Sequence, residues 1–200
     1  MPAVPHDASL PAGVPLGPEF FARSSDLVAA DLIGKIIWRT GFGGGRLTEV
    51  EAYLPDGDPA SHAACGPTRR NAAMFGPPGT VYVFLSYGVH HLLNLVTDAS
   101  GIGSAVLIRA FEALPEWAAV SPSRCGPGRV GAALGVGPGL DGARLGEESG
   151  VVVLDDGSRP EVGASTRIGI SRGCSLPLRY HSVNSRCVTT RSAKLEALGS

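Results

Sequence analysis

A chain of 200 residues, 44% of them apolar and 18% charged, is long enough for one domain with a sizeable core and too apolar to be disordered. Its net charge of −1 neither demands nor excludes a nucleic-acid partner, and no apolar run reaches the length of a membrane-spanning helix. Glycine (28) and proline (16) are abundant, which favours many short elements and tight turns over long helices. Residues 1–18 are rich in Pro, Ala and Gly and lack a basic or long apolar stretch, so they read as a disordered lead and not a secretion signal. The folded domain is expected over residues 19–191, followed by a frayed tail over 192–200. The cysteines Cys65, Cys125, Cys174 and Cys187 are scattered with no CxxC pair, which speaks against a zinc site and points to reduced thiols.

Taken in order, Ser24-Ser25-Asp26 is an N-cap signal for a helix through Ile33, closed by Gly34. Lys35 to Arg39 and Arg46 to Tyr53 read as two strands of a hairpin around the glycines at 41 and 43–45. Strict alternation along the second strand puts Leu47, Glu49, Glu51 and Tyr53 on one face and Thr48, Val50 and Ala52 on the other. Two carboxylates and an aromatic are an unusual set for a core face, because an unpaired buried carboxylate is costly. Such a face borders water, a cationic partner or an active site. Asp58-Pro59 has the form of an N-cap and first-turn proline opening a short helix that carries His62.

After a basic loop over 65–71 and a firm turn at 76–79, Thr80 to Thr97 reads as a β-hairpin with Tyr87-Gly88 at its tip. A large aromatic at a tip either packs beneath a neighbouring loop or acts as a wedge between bases. On the return strand His90, Leu92, Asn94 and Val96 share a face, and His90 and His91 cannot both serve one site. Ile102 to Phe111 is a further strand with Ala105, Leu107 and Arg109 on one face. Residues 115–128 read as loop with one helical turn near Trp117, residues 129–134 as a small-residue helix, and Val151–Leu154 and Ser165–Ile170 as late strands. Residues 176–183 form a strand or a docking segment. The fold class is α+β: a single mixed domain with a central curved antiparallel sheet, a protruding hairpin and peripheral short helices.

The glycines at 43–45 have neither a following helix nor a lysine, so they form a turn and not a phosphate cradle. Glu51 is the sharpest candidate for chemistry, against the alternative of a carboxylate simply paired to an arginine. Glu49 lies parallel to it on the strand, an arrangement that does not suit two carboxylates acting across one bond. Arg109 is either the partner of Glu51 or a strand-end arginine.

Three long segments, residues 49–64 (EVEAYLPDGDPASHAA), 68–97 (TRRNAAMFGPPGTVYVFLSYGVHHLLNLVT) and 105–112 (AVLIRAFE), resemble the alkyladenine (3-methyladenine) DNA glycosylase family. Weaker likenesses follow at 126–136 and 167–180. The resemblance implies that Glu51 is the general base, that Arg109 helps hold its water, and that a backbone carbonyl near Ile170 is a third ligand. Tyr53, His62, Phe84 and Asn94 would form the base pocket, Tyr87 would intercalate, and Thr68, Arg69 and Arg70 would contact phosphates. It further implies a monofunctional enzyme without metal or cofactor that acts as a monomer on double-stranded DNA, with no membrane partner. The expected location is cytoplasmic, at the nucleoid if the source is bacterial. Alternatives are specialisation for bulky or cross-linking adducts, a non-catalytic damaged-DNA-binding protein on the same fold, and a small-molecule N-glycosidase. The sequence departs from the family at Phe84, where relatives often have tyrosine, at Thr68-Arg69-Arg70-Asn71, in a shortened 115–128 connection, and at 184–189.

Overall fold

In the computed structural model, which describes residues 10–189, the strands are linked by antiparallel pairing throughout. The elements in chain order are β1 (Val14–Pro15), α1 (Pro18–Phe21), α2 (Ser25–Leu32), β2 (Ile36–Arg39), β3 (Gly43–Tyr53), β4 (Val81–Ser86), β5 (His90–Val96), β6 (Ala105–Glu112), β7 (Arg124–Cys125), α3 (Pro127–Ala133), β8 (Val151–Asp155), β9 (Val162–Ser165) and β10 (Arg179–Ser182). The sheet runs β1-β8-β2-β3-β6-β5-β4, with β10 and then β9 added along the second half of β3, and β7 added to β6. The expected mixed fold with a curled antiparallel sheet is therefore present, and no helix among the described residues is long and apolar enough to cross a membrane.

The core lies between the sheet and the helices. Val28, Ala29 and Leu32 of α2, Val130 of α3 and Leu134 just after it pack with Val50, Ala52, Leu93, Leu95, Val106 and Ile108 from the sheet. Burial of these apolar side chains supplies the main favourable free energy of such a domain. Helix α3 approaches β5 so closely that a Cβ on Gly131 would lie 2.1 Å from the His91 carbonyl oxygen, so only glycine permits the contact.

Several boundaries differ from the sequence reading. Residues 14–15, assigned to the lead, pair with β8, because an extended Val-Pro at a sheet edge needs no turn signal to add there. Residues 1–9 and the tail after Thr189 lie outside the described residues. The late strand is Val162–Ser165; residues 166–170 are irregular, with a bend at 168–169, because Arg167 and Ile168 are engaged by β3 and its following loop instead of by a strand neighbour. Asp58 does not cap the turn that carries His62; Ser61 does, its hydroxyl accepting from Ala63 N, while Asp58 forms an ion pair with Arg167. Cys125 and Cys187 are joined in a disulfide with a Cα–Cα separation of 5.4 Å, which corrects the expectation of four thiols; 62 residues of sequence conceal that proximity. Cys65 and Cys174 are free and exposed.

Candidate active site

Strand β3 carries the carboxylates through an irregularity in its pairing with β6. Leu47 lies opposite Phe111, Glu49 opposite Ala110 and Val50 opposite Ile108, so the register shifts on both sides of Glu49. The β-bulge breaks the alternation expected from sequence. Leu47 joins Val50 and Ala52 in the core, whereas the consecutive Thr48 and Glu49 both reach the 187–189 segment, through Cys187 O and Thr189. Glu49 and Glu51 thus face a common cluster of charge, without Leu47.

That cluster is dense. Arg109 of β6 is 5% exposed and both glutamates are fully buried. Arg109 Nε donates to Glu49 Oε1 at 2.9 Å, Nη1 lies 3.1 Å from Glu51 Oε2, and Nη2 donates to Thr189 Oγ1 at 3.1 Å. Glu49 also accepts from Arg179 Nη1 and from the hydroxyl and amide of Thr189. Glu51 accepts from Ile168 N at 2.8 Å and from the Tyr53 hydroxyl at 3.1 Å.

The two carboxylates differ electrostatically. Burial alone would raise Glu49, but Arg109 and the two Thr189 donors outweigh it and hold it below its ordinary value. Glu51 moves the other way: burial raises it, the Glu49 charge adds to the rise, and Arg109, Ile168 N and Tyr53 oppose without cancelling it.

Beside the cluster is a cavity of about 430 Å³, within the roughly 300–1,000 Å³ range of small-ligand pockets. Tyr53, Arg109 and Ile168 line it; Tyr53 and Ile168 hydrogen-bond to Glu51 and Arg109 forms an ion pair with it, so Glu51 lies just behind them. Of the alternating sets expected from sequence, Ala105, Leu107 and Arg109 of β6 all reach it, whereas from β5 only Leu92 and Asn94 do and His90 and Val96 do not line it. Asn94 is buried, and its amide donates to Tyr82 O and Leu92 O.

His62 and Phe84 stand edge to face in the wall, 4.6 Å between ring centroids. His62 Nδ1 is 2.8 Å from the Tyr82 hydroxyl, and partial burial lowers the imidazole below its ordinary pKa. Burial pushes the Tyr82 hydroxyl up to about 12, so it is protonated at neutral pH. Sequence reading missed Tyr82 as a partner of His62, although its position two residues before Phe84 on β4 put it on the same face. The loop carrying His62 is welded by Asn71, whose side chain bonds His62 O, Gly66 O and both the amide and hydroxyl of Thr68. The Thr68 hydroxyl is therefore occupied within the loop, while Arg69 and Arg70 are exposed.

Tyr87 stands at the cavity mouth, 88% exposed, on a turn in which both it and Gly88 have positive φ (52° and 71°). It does not pack beneath a neighbouring loop. Below the cavity, Asp58 and Arg167 form a doubly hydrogen-bonded pair at 2.6 Å with both side chains fully buried, and the Arg167 guanidinium lies 4.6 Å from the centre of the Tyr53 ring. Among the described residues there is no group of three or more His, Cys, Asp or Glu side chains arranged to hold a metal ion.

Comparison with known proteins gives the class first: this is a chain of the DNA glycosylase type. A family model described as methylpurine-DNA glycosylase matches residues 19–186, and the chain belongs to that family. The protein named "Putative 3-methyladenine DNA glycosylase" from Rhizobium meliloti strain 1021 is 45% identical over 184 residues, covering 86% of this chain and 95% of that one. Proteins of the same name from Rhodopseudomonas palustris strain BisB18 and Rubrobacter xylanophilus are 42% identical over 196 residues and 46% over 144. The first of these covers 92% of this chain and 96% of its own, the second 68% and 75%. The family likeness read from the sequence is borne out, and with it a role in removing alkylated bases from damaged DNA.

Proposed function

We propose that the protein excises alkylated or deaminated purines from duplex DNA by flipping the base into the cavity and hydrolysing its N-glycosidic bond with a water activated by Glu51. Chemistry on a base requires its removal from the stack. Tyr87, exposed at a hairpin tip beside the cavity mouth, would fill the gap left in the duplex and offset part of the unstacking cost. The extruded purine would lie between Tyr53 and His62, with Phe84 as a further wall and Asn94 at the floor. Arg69 and Arg70 would contact phosphates by charge; Thr68 would do so through its loop and not its hydroxyl, which is already bonded to Asn71.

In the chemical step water donates its proton to the Glu51 carboxylate while its oxygen bonds to C1′ and the C1′–N bond breaks. The bonding pair departs with the base. A cationic alkylated purine becomes neutral in this way and leaves without a proton donor. The carboxylate stabilises the oxocarbenium-like sugar, and Arg109 holds the water against Glu51. An abasic site and a free base result. Lys35 is tied to Asp155 at 2.9 Å and buried, so it supplies no nucleophile for a Schiff base, in keeping with a monofunctional enzyme. No cofactor enters any step, and a monomer acting in the cytoplasm suffices.

The observation that carries this reading is Glu51, bonded to Arg109 and raised in pKa, directly behind an aromatic-walled cavity. It is tested by single-turnover release from duplexes carrying one 3-methyladenine, 7-methylguanine, hypoxanthine or ethenoadenine, with alkali to reveal abasic sites. Glu51→Gln is expected to slow release by roughly 10²–10⁴-fold while binding persists. Binding without release by the unaltered protein would overturn the reading in favour of a damage-binding role, and strand cleavage before alkali would overturn its monofunctional part.

A further inference from the structure

We propose that Glu49 and Thr189 are positioning residues for base excision: they grip the Arg109 guanidinium by Nε and Nη2 and so hold Nη1 in ion-pair distance, 3.1 Å, of Glu51 Oε2. The proposal rests on the reading of Glu51 as the general base and extends it to residues that do not line the cavity.

The geometry is specific. A guanidinium offers nitrogen donors in a fixed planar fork, so holding two nitrogens fixes the direction of the third. Glu49 Oε1 accepts from Arg109 Nε at 2.9 Å, and Thr189 Oγ1 accepts from Nη2 at 3.1 Å. The Thr189 hydroxyl in turn donates to Glu49 Oε1 at 2.6 Å, closing the ring of contacts. A hydroxyl suits this position because it accepts from one charged partner while donating to the other. Arg179 shares Glu49, which leaves the buried group with two carboxylates and two arginines and a formal charge of zero.

Thr189 is held there from two sides. Its amide donates to Glu49 Oε2, and Cys187, two residues earlier, is covalently joined to Cys125. Cys125 pairs with Ala110, the neighbour of Arg109, and Gly126 N donates to Arg109 O. The disulfide therefore braces the segment carrying Thr189 against the backbone carrying Arg109.

A role confined to folding predicts rate lost in proportion to binding, whereas this proposal predicts rate lost with binding kept, together with a shifted pH–rate profile for Glu49 and rescue by serine for Thr189. Glu51 is faced by Arg109 from β6, Glu49 and Tyr53 from its own strand, and Arg167 from the loop after β9; Glu49 is faced by Arg109, Arg179 and His181. Removing the Glu49 charge takes away a repulsion on ionised Glu51 and leaves Arg109 with one carboxylate fewer. Both changes favour ionised Glu51.

The test compares single-turnover release and damaged-duplex binding for Glu49→Gln, Thr189→Val, Thr189→Ser and Glu51→Gln across pH. Glu49→Gln and Thr189→Val are expected to slow release by about 10- to 100-fold, the effect of a small misplacement of a catalytic group, with binding nearly unchanged. Glu49→Gln should also move the acidic limb to lower pH, Thr189→Val should leave it in place, and Thr189→Ser should restore most of the rate. Should Glu49→Gln fail to fold, the Val and Ser variants at position 189 decide the matter alone. If Glu51→Gln is inactive while Glu49→Gln and Thr189→Val run at the unaltered rate, or lose rate only in proportion to binding, the positioning proposal is overturned and the base reading stands. If Glu51→Gln keeps full activity, the base reading fails and this proposal with it.

Discussion

Two buried charge clusters lie within one cavity wall of each other, and they are built differently. Asp58 and Arg167 form a closed pair: both side chains are fully buried, two hydrogen bonds join them, and Asp58 also accepts from Leu54 N and Ala60 N. Glu49 and Glu51 share Arg109, and among the described residues only Glu49 makes an ion pair with a second arginine, Arg179. The outcome is opposite for the key carboxylates. Burial raises Asp58, but Arg167 overcomes it and holds the acid low; Glu51 is left raised. Full compensation makes a buried charge a structural rivet, and partial compensation beside a cavity leaves a carboxylate with a use for a proton.

The contrast breaks most severely at the rivet. Asp58→Ala strands Arg167 without its counter-charge and should cost about 3–5 kcal/mol, measured by urea unfolding; a loss below 1 kcal/mol would mean the pair is not the anchor its geometry describes. Cys187→Ser removes the brace beside Thr189 and should cost about 2–4 kcal/mol, seen as a lower Tm than that of the oxidised protein, with the difference abolished by reductant. Glu51→Gln sharpens the comparison by sign. A carboxylate raised by folding contributes stability below its ordinary value of 4.5 and loses it as pH rises through the folded value. At pH 7–8 the variant should therefore be more stable than the parent, seen as a higher Tm, and the gap should close toward pH 4. Destabilisation at neutral pH would place Glu51 with Asp58. The smallest effect is at Tyr53→Phe: losing a donor to Glu51 should raise its pKa, shift the acidic limb of base release to higher pH and slow the reaction a few-fold.

Much of this arrangement was legible before any fold was known. Period-two alternation placed Leu92 and Asn94, and Ala105, Leu107 and Arg109, on the faces where they are found, because β4, β5 and the 105–107 part of β6 pair regularly and the register of β6 with β3 breaks only at Arg109 and Ala110. Turn residues marked both hairpins, but Gly43, Gly44 and Gly45, read as turn, are the first residues of β3 and pair with β2; the resemblance of three segments pointed to the family. Alternation failed on β3, where the bulge moved Leu47 to the core. Local cap chemistry was incomplete at Asp58: its carboxylate accepts from Ala60 N and Leu54 N, but no helix opens there and its ion-pair partner Arg167 lies 109 positions away. Thr189 was noted only as part of a divergent segment; its hydroxyl acquires meaning through Glu49, 140 positions distant. The missing information was long-range pairing, which a single sequence does not carry in its periodicity.

The bulge at Thr48 and Glu49 bears on how this strand tolerates insertion and deletion. Upstream of it, β3 pairs with β2 through residues 43–46; downstream, it carries Glu51 and pairs with β10, while β6 pairs with it on both sides. Because one residue of slip exchanges the faces of a strand, the bulge is a phase joint between these halves. Lengthening or shortening the β2–β3 hairpin by pairs of residues preserves the phase of Glu51. Deleting a single residue between Val50 and Tyr53 turns part of the catalytic face toward the hydrophobic interior, so length variation among descendants of this chain should accumulate before the joint and be purged after it.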